Sequence, residues 1–514
     1  MIKNPVLRGF CPDPSVLRVG EDFYIATSTF EWWPGVRIFH SRDLSNWEQI
    51  ASPLRRESQI DLRGDGASCG VWSPGLSYSN GKFWLTYADV RTRKQMYRNT
   101  HNYLVWTDDI HSGEWSDPVY LNSTGSDPTL FHDNDGKKYI VNTRNGFRGI
   151  VLQEYDHESG VLTGEIKNIF PGTLAGKMTG PHLYHRRGYY YLMMSEGGTG
   201  YEHSVSMARA RNIWGPYELD PGNPLITSRG DNQGDIQHVG HADLFDTIEG
   251  EYFMAYVCAR PIEGKHSVLG RETSLHKAMW TGDDWLRLDA GATAPKAEIA
   301  DPLNIPLCGI AARSLHDDFD SDTLDHRYSF LRTDPGGDAS LSERAGYLRL
   351  HGRESFMSSN RVTLMATRQQ DFDCIAETKL ECDTTAIEHM AGLMYFYHSH
   401  NFYMLAKTFD DILGKPVLRL IKNDWDVVRF LSDAIVVPDD APLYLRVEAH
   451  GLVSVFSYSL DGTDWTAVKP ECDGAILTDE YGQGFTGSSF CLYCHDVSGG
   501  RLAADFDYFE YKAL

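Results

Sequence analysis

Residues 126–143, SDPTLFHDNDGKKYIVNT, decide the fold, because their pattern returns four more times along the chain. The other copies are PDPSVLRVGEDFYIATST (12–29), WSPGLSYSNGKFWLTYAD (72–89), TGPHLYHRRGYYYLMMSE (179–196) and GHADLFDTIEGEYFMAYV (240–257). Each begins with a small or polar pair, continues as a short apolar strand, turns at a polar tetrapeptide such as Ser79-Asn80-Gly81-Lys82, and ends in an aromatic-rich strand. Alternating residues on both sides of such a turn are the mark of a β-hairpin. The equivalent positions Pro14, Pro74, Pro128, Pro181 and Ala242 lie 53 to 61 residues apart. All-strand repeats of that length stack radially as blades rather than along a solenoid. The repeats therefore predict an all-β five-bladed propeller over residues 1–300.

Beyond the last repeat, ATAPKAEIADPLNIP has the Pro and Ala content of a surface linker, placed at 301–316. From DDFDSDTL (317–324) onward come strand-like runs such as GYLRLHGR, FDCIAETKLEC, LYLRVEAHGLVSVFSYS and ADFDYFEYKAL. They predict an antiparallel β-sandwich over 317–514. Cys491 and Cys494 form the CxxC of this region. It lies in an apparent strand with no second pair at zinc-finger spacing, so two core thiols are expected there.

The chain of 514 residues carries a formal net charge of −23, which argues against nucleic acid or an anionic membrane as partner. No run of 18 apolar residues offers a membrane span. The opening MIKNPVLRGFCPDPS lacks an apolar leader, and nine scattered cysteines fit reduced thiols, so a cytoplasmic location is expected.

In a propeller, equivalent positions of the innermost strands converge at one mouth. Immediately before the marker residues stand Asp13, Ser73, Asp127, Gly180 and His241, and one place earlier stand Pro12, Trp72, Ser126, Thr179 and Gly240. Two carboxylates, a histidine and a tryptophan thus face one pocket. Inverting glycoside hydrolysis needs a carboxylate to activate water and a carboxyl to protonate the leaving oxygen, which makes Asp13 and Asp127 candidates. An Asp before Pro can also simply start a turn. His241 can bind a sugar hydroxyl, hold an axial cation such as calcium, or be a satisfied buried histidine. Arg271 can reach the same mouth or form an interdomain ion pair. In TSTFEWWPG (27–35), Phe30 and Trp33 are candidates for stacking on a sugar, against a packing role.

Read together, NPVLRGFCPDPSVLRVGEDFYIATSTFEWWPG, SDPTLFHDNDGKKYIVN, GPHLY, YYYLMMSEGGTGYEHS, GHADLF, LGRETS, HGRES and ADFDYFEYK resemble glycoside hydrolase family 43, specifically β-xylosidases with a C-terminal sandwich. The resemblance spans nearly the whole chain. It implies that Asp13 is the general base, that Asp127 orients and tunes the acid, and that Arg271 and His241 line the sugar subsite. It further implies that Phe30 and Trp72 wall that subsite, with Phe485 reaching in from the sandwich. The implied substrates are xylo-oligosaccharides or arabinoxylo-oligosaccharides. No required cofactor is expected, and a homo-dimer or tetramer is the expected assembly.

Two departures stand out. The family's general acid is a Glu immediately before Gly-Pro-His-Leu-Tyr, and here Thr179 holds that place. Glu196 is a nearby carboxyl expected to be structural. Gly75 replaces a larger residue common in the family, which is expected to alter the sugar fit. A non-hydrolytic sugar-binding protein, or a sandwich acting as a separate carbohydrate-binding module, are the competing expectations.

Overall fold

The computed structural model describes residues 1–93, 98–230, 234–303, 314–438 and 441–514. Most of the expected linker, 304–313, lies outside the described residues, as does Cys308. Five antiparallel sheets form the N-terminal part, four of them four-stranded and the fourth blade five-stranded. Each opens with the first strand of a repeat: Ser15–Val19, Gly70–Ser79, Gly125–His132, Thr179–Arg186 and Gln237–Asp246. These five strands pack each on the next, and the fifth returns to the first, so the propeller closes. The N-terminus helps to fasten the ring. Ile2–Lys3 pairs with Glu298–Ile299, and Leu7 bridges Thr273 of blade five.

The hairpin turns follow from residue choice. Asn80 and Gly81 both take positive φ, 54° and 77°, the pair of left-handed residues that a tight hairpin between right-twisting strands demands. Between blades the apolar faces interlock. Ala26 and Ile38 of blade one are buried with Leu76, Leu85 and Tyr87 of blade two, each such large side chain contributing roughly 1.5–3 kcal/mol.

The C-terminal part is a sandwich of an eight-stranded and a nine-stranded sheet. Cys491 and Cys494 sit in the strand Ser489–Asp496 and point into two different apolar clusters. The nine-stranded sheet is completed from outside: the propeller's Trp32–Trp33 pairs with Ser329–Leu331, Trp33 opposite Phe330 and Trp32 opposite Leu331. Trp33, a stacking candidate in the sequence, is thus committed to the domain junction, its ring 6.2 Å from that of Phe330. Gly75 packs where two blades meet. A Cβ there would lie 2.6 Å from Thr86 Oγ1 and 2.9 Å from the Pro128 carbonyl, so this position governs the contact of blades two and three.

Candidate active site

The five ring positions share one backbone device. Asp13, Ser73, Asp127, Gly180 and His241 have φ of 54°, 45°, 59°, 54° and 42°, all left-handed. In blades two to five the register with the second strand shifts at this point, between Trp72 and Gly75, Ser126 and Thr129, Thr179 and His182, and within Gln237 to Ala242. A bulge of this kind re-aims one side chain out of the alternating pattern. Left-handed backbone at four non-glycine residues costs of order 1 kcal/mol or more each, a strain typical of functional sites.

Asp13 is the most heavily held of these groups. Ser28 Oγ donates to Asp13 Oδ2 at 2.8 Å, Arg271 Nη1 donates to Oδ1 at 3.1 Å, and His241 Nδ1 stands 3.6 Å from Oδ1. Burial acts to raise the Asp13 pKa, but the Arg271 guanidinium, His241 and the Ser28 hydroxyl outweigh it and hold the carboxyl below its ordinary value. Ser28 also links blades, because its Oγ accepts from the Ser73 amide at 2.7 Å.

Asp127 is buried and turned toward blade four. Its Oδ1 accepts from Ser73 Oγ at 2.9 Å, and its Oδ2 accepts from the Gly180 amide at 3.1 Å and from Thr143 Oγ1 at 3.4 Å. Asp127 therefore holds the backbone one residue beyond Thr179. Thr179 begins its strand opposite Ser195, whose hydroxyl accepts from the His241 amide, and it remains half-buried. Gly180 is required here, since a Cβ would lie 2.9 Å from the His241 ring. Glu196 takes a hydrogen bond from the Thr173 hydroxyl and is buried in its strand, the structural placement expected of it.

The aromatic wall is assembled from both domains. Phe30 meets Trp72 at 5.6 Å and Phe485 at 6.0 Å between ring centroids, and Trp72 meets Phe485 edge-on at 6.1 Å. Ser68 ties the two sides: its carbonyl accepts from Trp72 Nε1 at 3.1 Å and its Oγ accepts from the Phe485 amide at 3.1 Å. The Arg271 guanidinium lies 4.7 Å from the Phe485 ring centroid and 5.4 Å from that of Phe30. Phe30, Trp72, His241, Arg271 and Phe485 are thus brought together around Asp13. The alternative of Arg271 as a purely interdomain ion pair does not describe this contact, because its carboxylate partner is Asp13.

The seam that delivers Phe485 is backbone against backbone. Gly270 (φ 68°) and Gly487 (φ 66°) face each other so closely that a Cβ on Gly487 would lie 2.5 Å from the Leu269 carbonyl, and one on Gly270 would lie 2.5 Å from the Gly487 nitrogen. The Ser488 amide donates to the Val268 carbonyl at 2.8 Å, and Glu480 accepts from the amide and the hydroxyl of Ser267 at 2.8 and 2.7 Å. Asp479 accepts from Tyr397 Oη at 2.7 Å and is pushed up to about 7 by burial, with Glu480 adding to the rise and Tyr397, Arg271 and the Gly487 amide opposing it. Arg271 follows directly on Gly270 and Phe485 stands two residues before Gly487, so both flank one joint.

Sequence reading missed His203. Its ring lies against Gly240, where a Cβ would fall 2.1 Å from Nε2. Its Nδ1 donates to the His238 carbonyl at 3.2 Å, and burial pushes its pKa down to about 3, so it sits near Asp13 as a neutral ring. The signal available was GTGYEHS, directly after a repeat. A calcium ion at His241 finds poor support in these surroundings. Calcium takes six to eight oxygen ligands, the carboxylate nearest His241 is already engaged by a guanidinium, and no group of three or more His, Cys, Asp or Glu among the described residues could hold a metal.

A family model for glycosyl hydrolases family 43 matches residues 2–286, and one for the β-xylosidase C-terminal concanavalin A-like domain matches residues 316–512. The chain belongs to glycoside hydrolase family 43. It is 42% identical over 535 residues to a xylan 1,3-β-xylosidase of Vibrio sp, covering 99% of each chain. To a xylosidase/arabinosidase of Humicola insolens it is 40% identical over 540 residues, covering 100% of this chain and 98% of the other. The crystal structure of a xylan β-1,4-xylosidase from Bacillus halodurans C-125 superposes with a TM-score of 0.96 at 43% identity, covering both chains completely. The family 43 chain is thus a glycosidase whose propeller and sandwich both match those of xylosidases.

Proposed function

We propose that this glycosidase is an exo-acting, inverting enzyme that releases xylose from β-1,4-xylo-oligosaccharides and α-L-arabinofuranose from arabinosides, with Thr179 leaving its acid step unassisted. The observation that carries this reading is the contrast between an ionised, fully partnered Asp13 and a hydroxyl at the acid position. Asp13 accepts a proton from water, the water oxygen attacks the anomeric carbon, and the glycosidic bond breaks on the opposite face, the leaving oxygen taking its proton from solvent water. Asp127 holds the Gly180 amide and so positions the strand from which an acid would act. A threonine hydroxyl is too weak an acid to protonate the leaving oxygen near neutral pH. Arg271 lies beside Asp13 with its guanidinium on the Phe485 and Phe30 rings, which supports a role in lining the sugar subsite. The xylosidase and xylosidase/arabinosidase names of the relatives support the two sugars.

The test is Thr179→Glu assayed on xylobiose beside the parent. A gain of roughly 10²–10⁴-fold, the usual worth of general acid catalysis, is expected. Unchanged activity would instead favour a sugar-binding protein on the same fold.

No cofactor enters this scheme, and chelation with EDTA is expected to leave hydrolysis unchanged. The eight described cysteines are buried free thiols, which supports a reducing, cytoplasmic location. Homo-oligomer formation is supported by the edge strand Val427–Phe430, where Val427, Val428 and Phe430 are 49%, 41% and 54% exposed beside an exposed Trp425. Light scattering of the purified chain distinguishes monomer from dimer or tetramer.

A further inference from the structure

The aromatic wall carries guanidinium groups besides that of Arg271. Two arginines beyond the strand Lys82–Val90 cover it, the Arg93 guanidinium 5.2 Å from the Phe485 ring centroid and that of Arg98 5.5 Å from the Trp72 centroid. Arg93 serves the domain junction. Its Nε donates to the Ala67 carbonyl at 3.1 Å and its Nη2 to the Gln483 carbonyl at 2.6 Å, tying propeller to sandwich. Arg98 is set differently. Burial lowers its pKa, the Asp127 carboxylate acts to raise it, and Arg93 acts to lower it, so the group lies within electrostatic reach of Asp127. Arginine stays protonated through the working range of proteins. A chain with a formal charge of −23 thus sets a cation against the Trp72 wall, within electrostatic reach of the carboxylate that holds the backbone beside Thr179.

This placement answers a chemical need that Thr179 creates. An alkoxide leaves poorly without a proton, whereas a phosphate or a nitrophenolate leaves readily as an anion, and a fixed cation stabilises the charge that develops. We propose that Arg98 is a catalytic residue that stabilises an anionic leaving group. The preferred substrates are then xylosyl compounds whose aglycone departs as an anion, xylosyl phosphates among them. The proposal rests on the reading of the pocket as a xylose site.

The step balances with water alone. Asp13 accepts one proton from water, the water oxygen bonds to the anomeric carbon, and the bond from that carbon to the aglycone oxygen breaks. Its electron pair stays on the aglycone, which leaves as an anion against the Arg98 guanidinium. Xylose of inverted anomeric configuration is released, and the Asp13 proton passes to solvent.

The experiment compares β-D-xylopyranosyl phosphate, 2,4-dinitrophenyl β-D-xylopyranoside and methyl β-D-xylopyranoside as substrates of the full chain, Arg98→Met and Arg98→Lys. Xylose binding to each protein is measured by calorimetry. The parent is expected to turn over the first two at least about 10²-fold faster than the third. Arg98→Met should lower kcat/KM for both by about 10- to 100-fold, the range for losing a charged hydrogen-bond partner, with xylose affinity unchanged, and Arg98→Lys should recover part of the loss. Methyl xyloside cleaved as fast as the dinitrophenyl compound, or Arg98→Met equal to the parent, would overturn the proposal. Xylose binding without turnover of either activated substrate would defeat it alone. Absence of xylose binding by the parent would defeat the xylose-site reading as well.

Discussion

Asp13 and Thr179 stand at neighbouring places of the same repeat, in blades one and four, and the chain surrounds them in different ways. Around Asp13 a guanidinium, a hydroxyl and an imidazole converge from three separate segments. Around Thr179 the fixed partners are backbone: the pairing with Ser195 and the Asp127 bond to the next amide. A buried carboxylate without partners would be destabilising by several kcal/mol, so the Asp13 network is needed for folding as well as for chemistry. A half-buried threonine held through its backbone makes no such demand. The two sides are therefore separable, and a change of side chain at position 179 does not loosen the network around Asp13.

The largest expected effect tests the base side. Asp13→Asn removes the proton acceptor while keeping shape, and should lower hydrolysis of an aryl β-xyloside by about 10³–10⁴-fold with xylose binding retained. A loss of tenfold or less would place the base elsewhere.

Arg271→Met tests how that base is kept ionised. In the parent the Asp13 pKa is held below the ordinary carboxylate value, so kcat/KM should persist as pH falls past about 4. Without the guanidinium, burial acts against fewer opponents, the pKa rises, and the acid limb of the pH profile should move to higher pH. A limb that does not move would show that Ser28 and His241 suffice.

Gly487→Ala sharpens the comparison from the sandwich side. The new Cβ would meet the Leu269 carbonyl and sit at a left-handed φ, so stability should fall by about 1–3 kcal/mol in a denaturant titration. KM should rise as Phe485 shifts, and Thr179→Glu should not rescue it.

The smallest effect concerns Asp479. Its pKa of about 7 in the fold lies above the ordinary value near 4, so the folded state retains a proton that the unfolded chain loses. Its stabilising contribution is complete below pH 4, declines as pH rises toward 7 and is flat beyond. Asp479→Asn should flatten that decline, by about 2 kcal/mol between pH 5 and 7, in unfolding followed by fluorescence.

The propeller was legible because its signal is repeated, and five copies fix a period that one hairpin cannot. Asp13, Asp127 and His241 emerged from the same alignment as members of one ring. Their left-handed backbone did not, since Ser73 and His241 carry no residue signature for positive φ as glycine does. Arg93 and Arg98 carry no signal in the sequence that marks them for the site, and only the fold sets their guanidinium groups over Phe485 and Trp72. Gly270 and Gly487 are ordinary turn glycines in one dimension, and only the docking of two domains makes each the reason for the other.

The edge strand Trp32–Trp33 also sets an order of events during synthesis. A ribosome adding about 5–20 residues per second releases these tryptophans on the order of 15–60 seconds before their partners Phe330 and Leu331 emerge. The propeller, whose last paired strand ends at Ile299, is complete only about 2–6 seconds before Phe330 emerges, with this sheet edge still unmatched. The sandwich then assembles onto a strand already in place, so the first blade acts as a template for the last domain to be made.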